Sequence, residues 1–380
     1  MNFDFRLLRS LDKWLLLAVI LLVGFGLVMI SSAATGYTGT AEGAKLFVIK
    51  QGIAFLLGLV GLAVVVLFDY EEFGRMWMLI YGLNCFLLMI VLLIGKIGGG
   101  AQSWLGAGAV NLQPGEYGKI MLILTLGHFL AKREEIKSFW DLIPVGVHVM
   151  PLLILLLLQP DFGTALVFVV ITVAMLYMAG YAGWKILAWI GIPVGSFLGW
   201  FFAHEKWPII WMPLKDYQLD RLKVFFNPAL DPNGKGYHVL QSKISIGSGG
   251  LFGKGLYHGT QNMLGFLPEQ HTDFIYAVVC EELGFIGGAV LIALLLFLLF
   301  RILHVSASAR DRYGALICVG VMAMLGFHVL ENVGMTIGVM PVTGIPLPFI
   351  SYGGSSMITN LIGVALVLNV GMRRHTLQFR

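Results

Sequence analysis

The stretch "WLLLAVILLVGFGLVMISSA" occupies Trp14–Ala33. It contains no ionisable side chain, and at about 20 residues it is long enough to cross the hydrocarbon core of a bilayer as one helix. Arg6, Arg9 and Lys13 precede it, as basic residues precede a signal peptide. The apolar run is too long for a signal's core, however, and no small-residue cleavage site follows. The run therefore reads as a retained first membrane span.

Similar stretches recur at 52–68, 77–95, 116–131, 142–159, 163–180, 186–203, 275–300, 313–338 and 353–371. Spans five and six are separated only by "QPDFGT", where Pro160 and Gly163 suit a tight reversal. The composition agrees. Of 380 residues, 58% are hydrophobic and 12% charged, and the mean hydropathy is +0.85. Soluble domains carry about twice that charged fraction. The expected fold is an all-α polytopic membrane protein with about ten transmembrane helices, forming a single integral membrane domain over 1–380. The 48 glycines fit close helix packing in lipid. Cys85, Cys280 and Cys318 sit in apolar runs without metal or disulfide spacing. A net charge of +4 gives no reason to expect a nucleic-acid partner.

The placement of Lys and Arg sets the orientation. With the N-terminus in the cytoplasm, Arg75, Lys132, Arg133, Lys137, Lys185, Arg301, Arg310, Arg312, Arg373 and Arg374 all fall inside, and only Lys45, Lys50 and Lys96 fall in short external segments. Both termini are then cytoplasmic. Residues 204–274, between spans seven and eight, form one long external loop carrying Lys206, Lys215, Arg221, Lys223, Lys235, Lys243 and Lys254. Long loops escape the charge rule, and connections of this length are usually functional.

Ionisable groups in or beside membrane spans are costly and are suspects for function. In "LQPGEYGKI", Glu116 and Lys119 stand three residues apart, so they share a helix face and can pair. They either cap span four or line a cavity. In "LQPDFGTAL", Asp161 either caps span six or needs an external basic partner. The loop stretch "GSGGLFGKG" fails as a nucleotide-binding loop, because Gly255 follows Lys254 where Ser or Thr is needed. Its backbone could still bind an anion, with Arg221, Lys243 and Lys254 supplying charge. In "LPEQHTDFIYAVVCEELG", Asp273 stands where the loop meets span eight, while Glu281 and Glu282 lie deeper. Asn332 and Lys119 are candidate partners for those two. His238, His258 and His271 read as polar loop histidines. "GVMPVTGIPLPFISYGGSSM" holds Pro341, Pro346 and Pro348, which break a helix near the membrane.

Taken in order, "LQPGEYGKI", "LLQPDFGTALV", "GSGGLFGKG", "LPEQHTDFIYAVVCEELGF" and "TGIPLPFISYGGSSM" resemble the motifs of the SEDS proteins of shape, elongation, division and sporulation. The resemblance covers nearly the whole chain. The short segment before the first span is more like the elongation member than the division member. The resemblance implies a peptidoglycan glycosyltransferase in the bacterial cytoplasmic membrane that polymerises lipid II on the external face beside a class B penicillin-binding protein. It also implies that Asp273, the acid of "TDF", is catalytic, and that Glu116, Lys119, Asp161 and Arg221 serve substrate binding; Lys243 and Lys254 join them as substrate-binding candidates on their charge in the basic loop. Two positions depart from the pattern: Gly115 stands where Ser is commoner, and Phe162 where Leu is commoner. Neither removes a charge.

The chemistry is consistent with this reading. A sugar hydroxyl attacking an anomeric carbon needs a base, and Asp273 is placed to be one. The departing pyrophosphate needs cations, supplied by the basic loop or by a divalent ion such as Mg or Mn, although no metal-ligand spacing is present. Two other classes remain open: a flippase for lipid II, and a non-catalytic scaffold for the penicillin-binding protein.

Overall fold

The computed structural model describes residues 10–98, 101–107, 110–133, 138–207, 226, 231 and 234–374. Helices stand at all ten expected positions: α1 Lys13–Thr38, α2 Ala41–Leu67, α4 Trp77–Ile94, α5 Pro114–Ala131, α6 Ile143–Leu158, α7 Phe162–Met178, α8 Gly183–Lys206, α11 Ile275–Ala307, α12 Arg312–Ile337 and α13 Gly354–Met372. A short helix, α3 Tyr70–Arg75, connects α2 and α4. Among the described residues, seven helical segments are long and apolar enough to cross a membrane by length and composition alone. The helices outside that set include α5, which carries Glu116 and Lys119, and α7, which is 17 residues long.

Side-chain chemistry explains where the helices start and stop. Asp12, Thr40, Asp161 and Asp311 each accept a hydrogen bond from a first-turn N–H, which satisfies donors that a helix start leaves open. Gly39 and Gly338 end α1 and α12 in the left-handed conformation. Thr40 explains why α2 begins eleven residues before the expected 52: its first turns carry Glu42, Lys45 and Lys50, which a hydropathy reading excludes and a cap includes.

Burial is inverted relative to a soluble protein. Large apolar side chains such as Leu56, Val60, Leu93 and Leu187 face outward, while Lys119, Glu281, Glu282, His328 and Asn332 are buried. The helix α12 is the hub, packing against α5, α7, α11 and α13, and α13 packs in turn on α2.

Two connections differ from expectation. The segment after α4 is a three-stranded antiparallel meander, β1 Lys96–Gly98, β2 Ala101–Ala107 and β3 Val110–Leu112, so the fold carries a small sheet beside its helices. Among the described residues, part of the long loop is helical. Lys235–Gly249 form a helix, α9, packed on α11 and α12. A four-residue turn, α10 Thr260–Met263, follows. "GSGG" therefore closes a helix and is no anion-binding loop.

Those glycines have a packing reason. The helix α11 breaks at Gly284, which has φ +68°. Phe285 N–H donates to Gly250 O at 2.9 Å, while Lys254 N–H donates to Glu281 O at 3.0 Å and Gly255 N–H to Glu282 O at 2.9 Å. Backbone thus crosses backbone, and a Cβ at Gly249, Gly253 or Gly284 would overlap main-chain atoms of the other segment.

Candidate active site

The first-turn residues of α5 build one wall of the site. Pro114 opens the helix, which suits a position whose N–H would be unpaired anyway. Glu116 and Lys119 then face the bundle interior, with Lys119 Nζ donating to Glu116 Oε1 at 2.6 Å. Both are almost fully buried. The same ammonium lies 3.1 Å from His328 Nε2 on α12. Glu116 Oε2 has no partner among the described residues.

Asp161 stands across from this pair. Its Oδ1 accepts from Thr164 N–H at 3.0 Å and its Oδ2 from the Thr164 hydroxyl at 2.9 Å. It is thus the cap of α7, and no basic partner accompanies it among its described contacts. Gly115 packs closely on α7: a Cβ there would stand 3.2 Å from Thr164 Cγ2.

The third wall is the proline-rich segment before α13. Thr343, Gly344, Ile345 and Pro346 close a cavity of about 50 Å³ with Gln113, Glu116, Lys119, Asp161 and Thr164.

Asp273 lies just behind that wall. A Cβ built on Gly344, whose φ is +78°, would stand 3.1 Å from Asp273 Oδ2. Asn332 Nδ2 donates both to Asp273 O and to Ile345 O, each at 2.9 Å. Ser351 Oγ donates to Thr272 O at 2.6 Å. One bifurcated amide and one hydroxyl therefore lock the start of α11 to the proline-rich wall.

The structure thus brings Glu116, Lys119 and Asp161 into one cavity and places Asp273 against Gly344 of its wall. It separates others. Lys254 donates from Nζ to Glu281 Oε1 at 2.7 Å and to Thr260 Oγ1 at 2.6 Å, so its charge is already matched. Lys243 is exposed and packs against Gly338 at the end of α12, where a cation suits the helix dipole. Arg221 lies outside the described residues. Glu281 and Glu282 do not meet Lys119 or Asn332. Glu282 instead accepts from Ser32 Oγ at 2.6 Å, Asn262 Nδ2 at 3.0 Å and Tyr257 N–H at 3.2 Å.

Three side chains escaped the sequence reading. His271 is no polar loop histidine: it is buried among Tyr37, Phe47 and Tyr352, with ring centroids 4.7, 4.8 and 5.7 Å away. Burial lowers its pKa, and Glu269 opposes that only in part. His328 and Glu331 are buried on α12, and Glu331 Oε1 accepts from Thr343 Oγ1 at 2.7 Å. The signal was available: His328, Glu331 and Asn332 follow the i, i+3, i+4 spacing of one helix face inside an apolar span. Among the described residues, no group of three or more His, Cys, Asp or Glu comes together to hold a metal ion. These residues alone do not make up a metal site.

An apolar helical bundle with a buried, ion-paired polar cavity defines a polytopic membrane protein. The chain belongs to the FtsW/RodA/SpoVE family, the SEDS proteins: the family model described as "Cell cycle protein" matches residues 13–376. It is 35% identical to stage V sporulation protein E of Bacillus subtilis, covering 95% of this chain and 97% of that one. It is 36% identical to peptidoglycan glycosyltransferase MrdB of Escherichia coli K12, covering 97% and 95%. A solved structure titled "Structural coordination of polymerization and crosslinking by a peptidoglycan synthase complex" superposes with TM-score 0.78 at 32% identity, covering 96% of this chain and 98% of that one. RodA of Thermus thermophilus superposes with TM-score 0.70 at 29% identity, covering 96% and 98%.

Proposed function

We propose that this chain is a peptidoglycan glycosyltransferase that polymerises lipid II at the external face of the bacterial cytoplasmic membrane, with both termini inside. The observation that carries the reading is the convergence of Glu116, Lys119 and Asp161 on one cavity, with Asp273 against Gly344 of its wall. Asp273 takes the proton from the attacking sugar hydroxyl, a role worth about 10²–10⁴ in rate. The new bond forms at the anomeric carbon of the donor as its bond to the lipid pyrophosphate breaks. Charge builds on the departing phosphate, and Lys119 is the buried cation beside the cavity that meets it. Glu116 holds that ammonium in place. Asp161 fixes the start of α7, so the wall opposite Lys119 keeps its shape.

The sugars bind at the open mouth of the cavity. Arg221 is retained as a phosphate contact. Lys243 remains a candidate for the same duty because its side chain is exposed. Lys254 is reassigned to a structural pair with Glu281. The partner is a class B penicillin-binding protein, whose cross-linking activity consumes the glycan product.

A flippase needs a polar route through both leaflets. Here the site residues gather at one end, while the opposite end carries the ion pairs Asp12–Arg301, Asp69–Arg373 and Glu71–Arg310, whose charges are matched. That distribution favours the transferase. The test is purified protein, with and without a class B penicillin-binding protein, given labelled lipid II and assayed for glycan polymer. Polymer supports the proposal. Transbilayer movement of lipid II in vesicles without polymer would support the flippase instead.

A further inference from the structure

We infer that His328 is a positioning residue for the transferase, acting through Lys119 by fixing the direction of its ammonium. The inference rests on the function proposed above and adds a residue to it.

An ammonium carries three N–H donors and no acceptor. Lys119 spends one donor on Glu116 Oε1 at 2.6 Å and directs a second at His328 Nε2, 3.1 Å away. Two fixed partners on two different helices determine where the third donor points. Lys119 lines the cavity, so the third donor is the one available to a bound anion. Glu116 alone would leave the ammonium free to swing about a single contact.

The contact also sets the chemical form of the imidazole. Lysine can only donate, so His328 Nε2 must accept, and the ring proton must sit on Nδ1. His328 Nδ1 has no partner among the described residues, although the residue is fully buried. A buried donor without a partner is a cost that an apolar side chain of similar size would not carry. The packing therefore gives no reason for histidine here, whereas an acceptor for Lys119 does. The neighbours on the same face point the same way. Glu331 holds Thr343 of the cavity wall, and Asn332 holds Asp273 and Ile345.

The test compares His328→Leu with His328→Gln, whose amide oxygen can accept from Lys119. Each is purified, checked for monodispersity and melting temperature, and assayed with the partner for kcat and KM on labelled lipid II. The expected result is a fall in kcat of tenfold or more for His328→Leu in protein that stays folded and monodisperse. His328→Gln should return kcat to within about threefold. A structural role would instead move the melting temperature and be indifferent to the acceptor. Should His328→Leu not fold, His328→Met takes its place at similar volume. The inference is overturned if the apolar variant keeps kcat within twofold of the parent, or if His328→Gln is as impaired as it. If the parent itself makes no polymer, the proposed function fails and His328 is not the cause.

Discussion

Replacing Glu281 with alanine should damage folding more than replacing Lys254, its ion-pair partner, with methionine. Glu281 is fully buried and gathers five donors: Lys254 Nζ at 2.7 Å, Gln261 N–H at 2.9 Å, Thr260 Oγ1 and Asn262 N–H at 3.2 Å each, and Ser248 Oγ at 3.5 Å. Removing one member of a buried pair costs about 3–5 kcal/mol. The lower figure applies here, because the Lys254 side chain is 25% exposed and can reach water. The stranded N–H groups of Gln261 and Asn262 add about 1 kcal/mol each. Glu281→Ala should thus lose about 5 kcal/mol, a large share of a typical total of about 5–15 kcal/mol. Lys254→Met leaves the fully buried carboxylate its neutral donors but no cation, and should cost about 3 kcal/mol. The assay is thermal unfolding in detergent, with KM for lipid II measured on the folded fraction. The expected outcome is lower melting temperatures in that order with KM unchanged. If Lys254→Met leaves the melting temperature untouched and raises KM, Lys254 binds phosphate and the structural assignment is wrong.

Gly284→Ala should yield little folded protein, because a Cβ would overlap the crossing chain and the residue needs φ +68°. Gly247→Ala, with nothing within 4 Å and a helical backbone, should gain about 0.5–1 kcal/mol by the same measurement. Reversing both Glu116 and Lys119 should recover more polymer than either single reversal, since each single leaves like charges together in a buried site; a double variant no better than the two singles combined counts against the pair. The parent should lose stability as pH falls below the ordinary histidine value of about 6.5. Burial lowers the pKa of His271 in the folded state, so the unfolded chain binds the extra proton and stability rises with pH across that window. His271→Phe should flatten this slope in melting curves taken from pH 5 to 8; an unchanged slope assigns it to other groups.

Much of the fold was legible because lipid makes hydrophobicity nearly sufficient. Every expected span is a helix, since apolar stretches of that length have no other way to satisfy their backbone in a membrane. Helix ends were legible only where a cap stood out. Thr40 starts α2 among polar residues, which no hydropathy window includes. The Glu116–Lys119 pair followed from spacing within one helix. Partners in different helices did not. Glu281 meets Lys254 only because the chain folds back across the break at Gly284, and glycine runs read equally well as flexible loop or as backbone crossing. His328 was missed because a single histidine in an apolar span is ambiguous until Lys119 is seen beside it. His271 was misread because "EQHTD" is polar in sequence, while its environment comes from Tyr37, Phe47 and Tyr352 on other elements.

The central claim is that Asp273, against the Gly344 wall of the Glu116–Lys119–Asp161 cavity, is the base of a glycan-forming reaction. Asp273→Asn keeps the shape of the side chain and removes its capacity to take a proton. The Asn332 contact uses the backbone oxygen of residue 273 and survives the change. The measurement is polymer formed from labelled lipid II by purified parent and Asp273→Asn proteins, each with the same penicillin-binding partner and matched melting temperatures. The parent should produce glycan strands, and Asp273→Asn should fall by about 10²-fold or more. Near-normal polymer from Asp273→Asn would contradict the assignment.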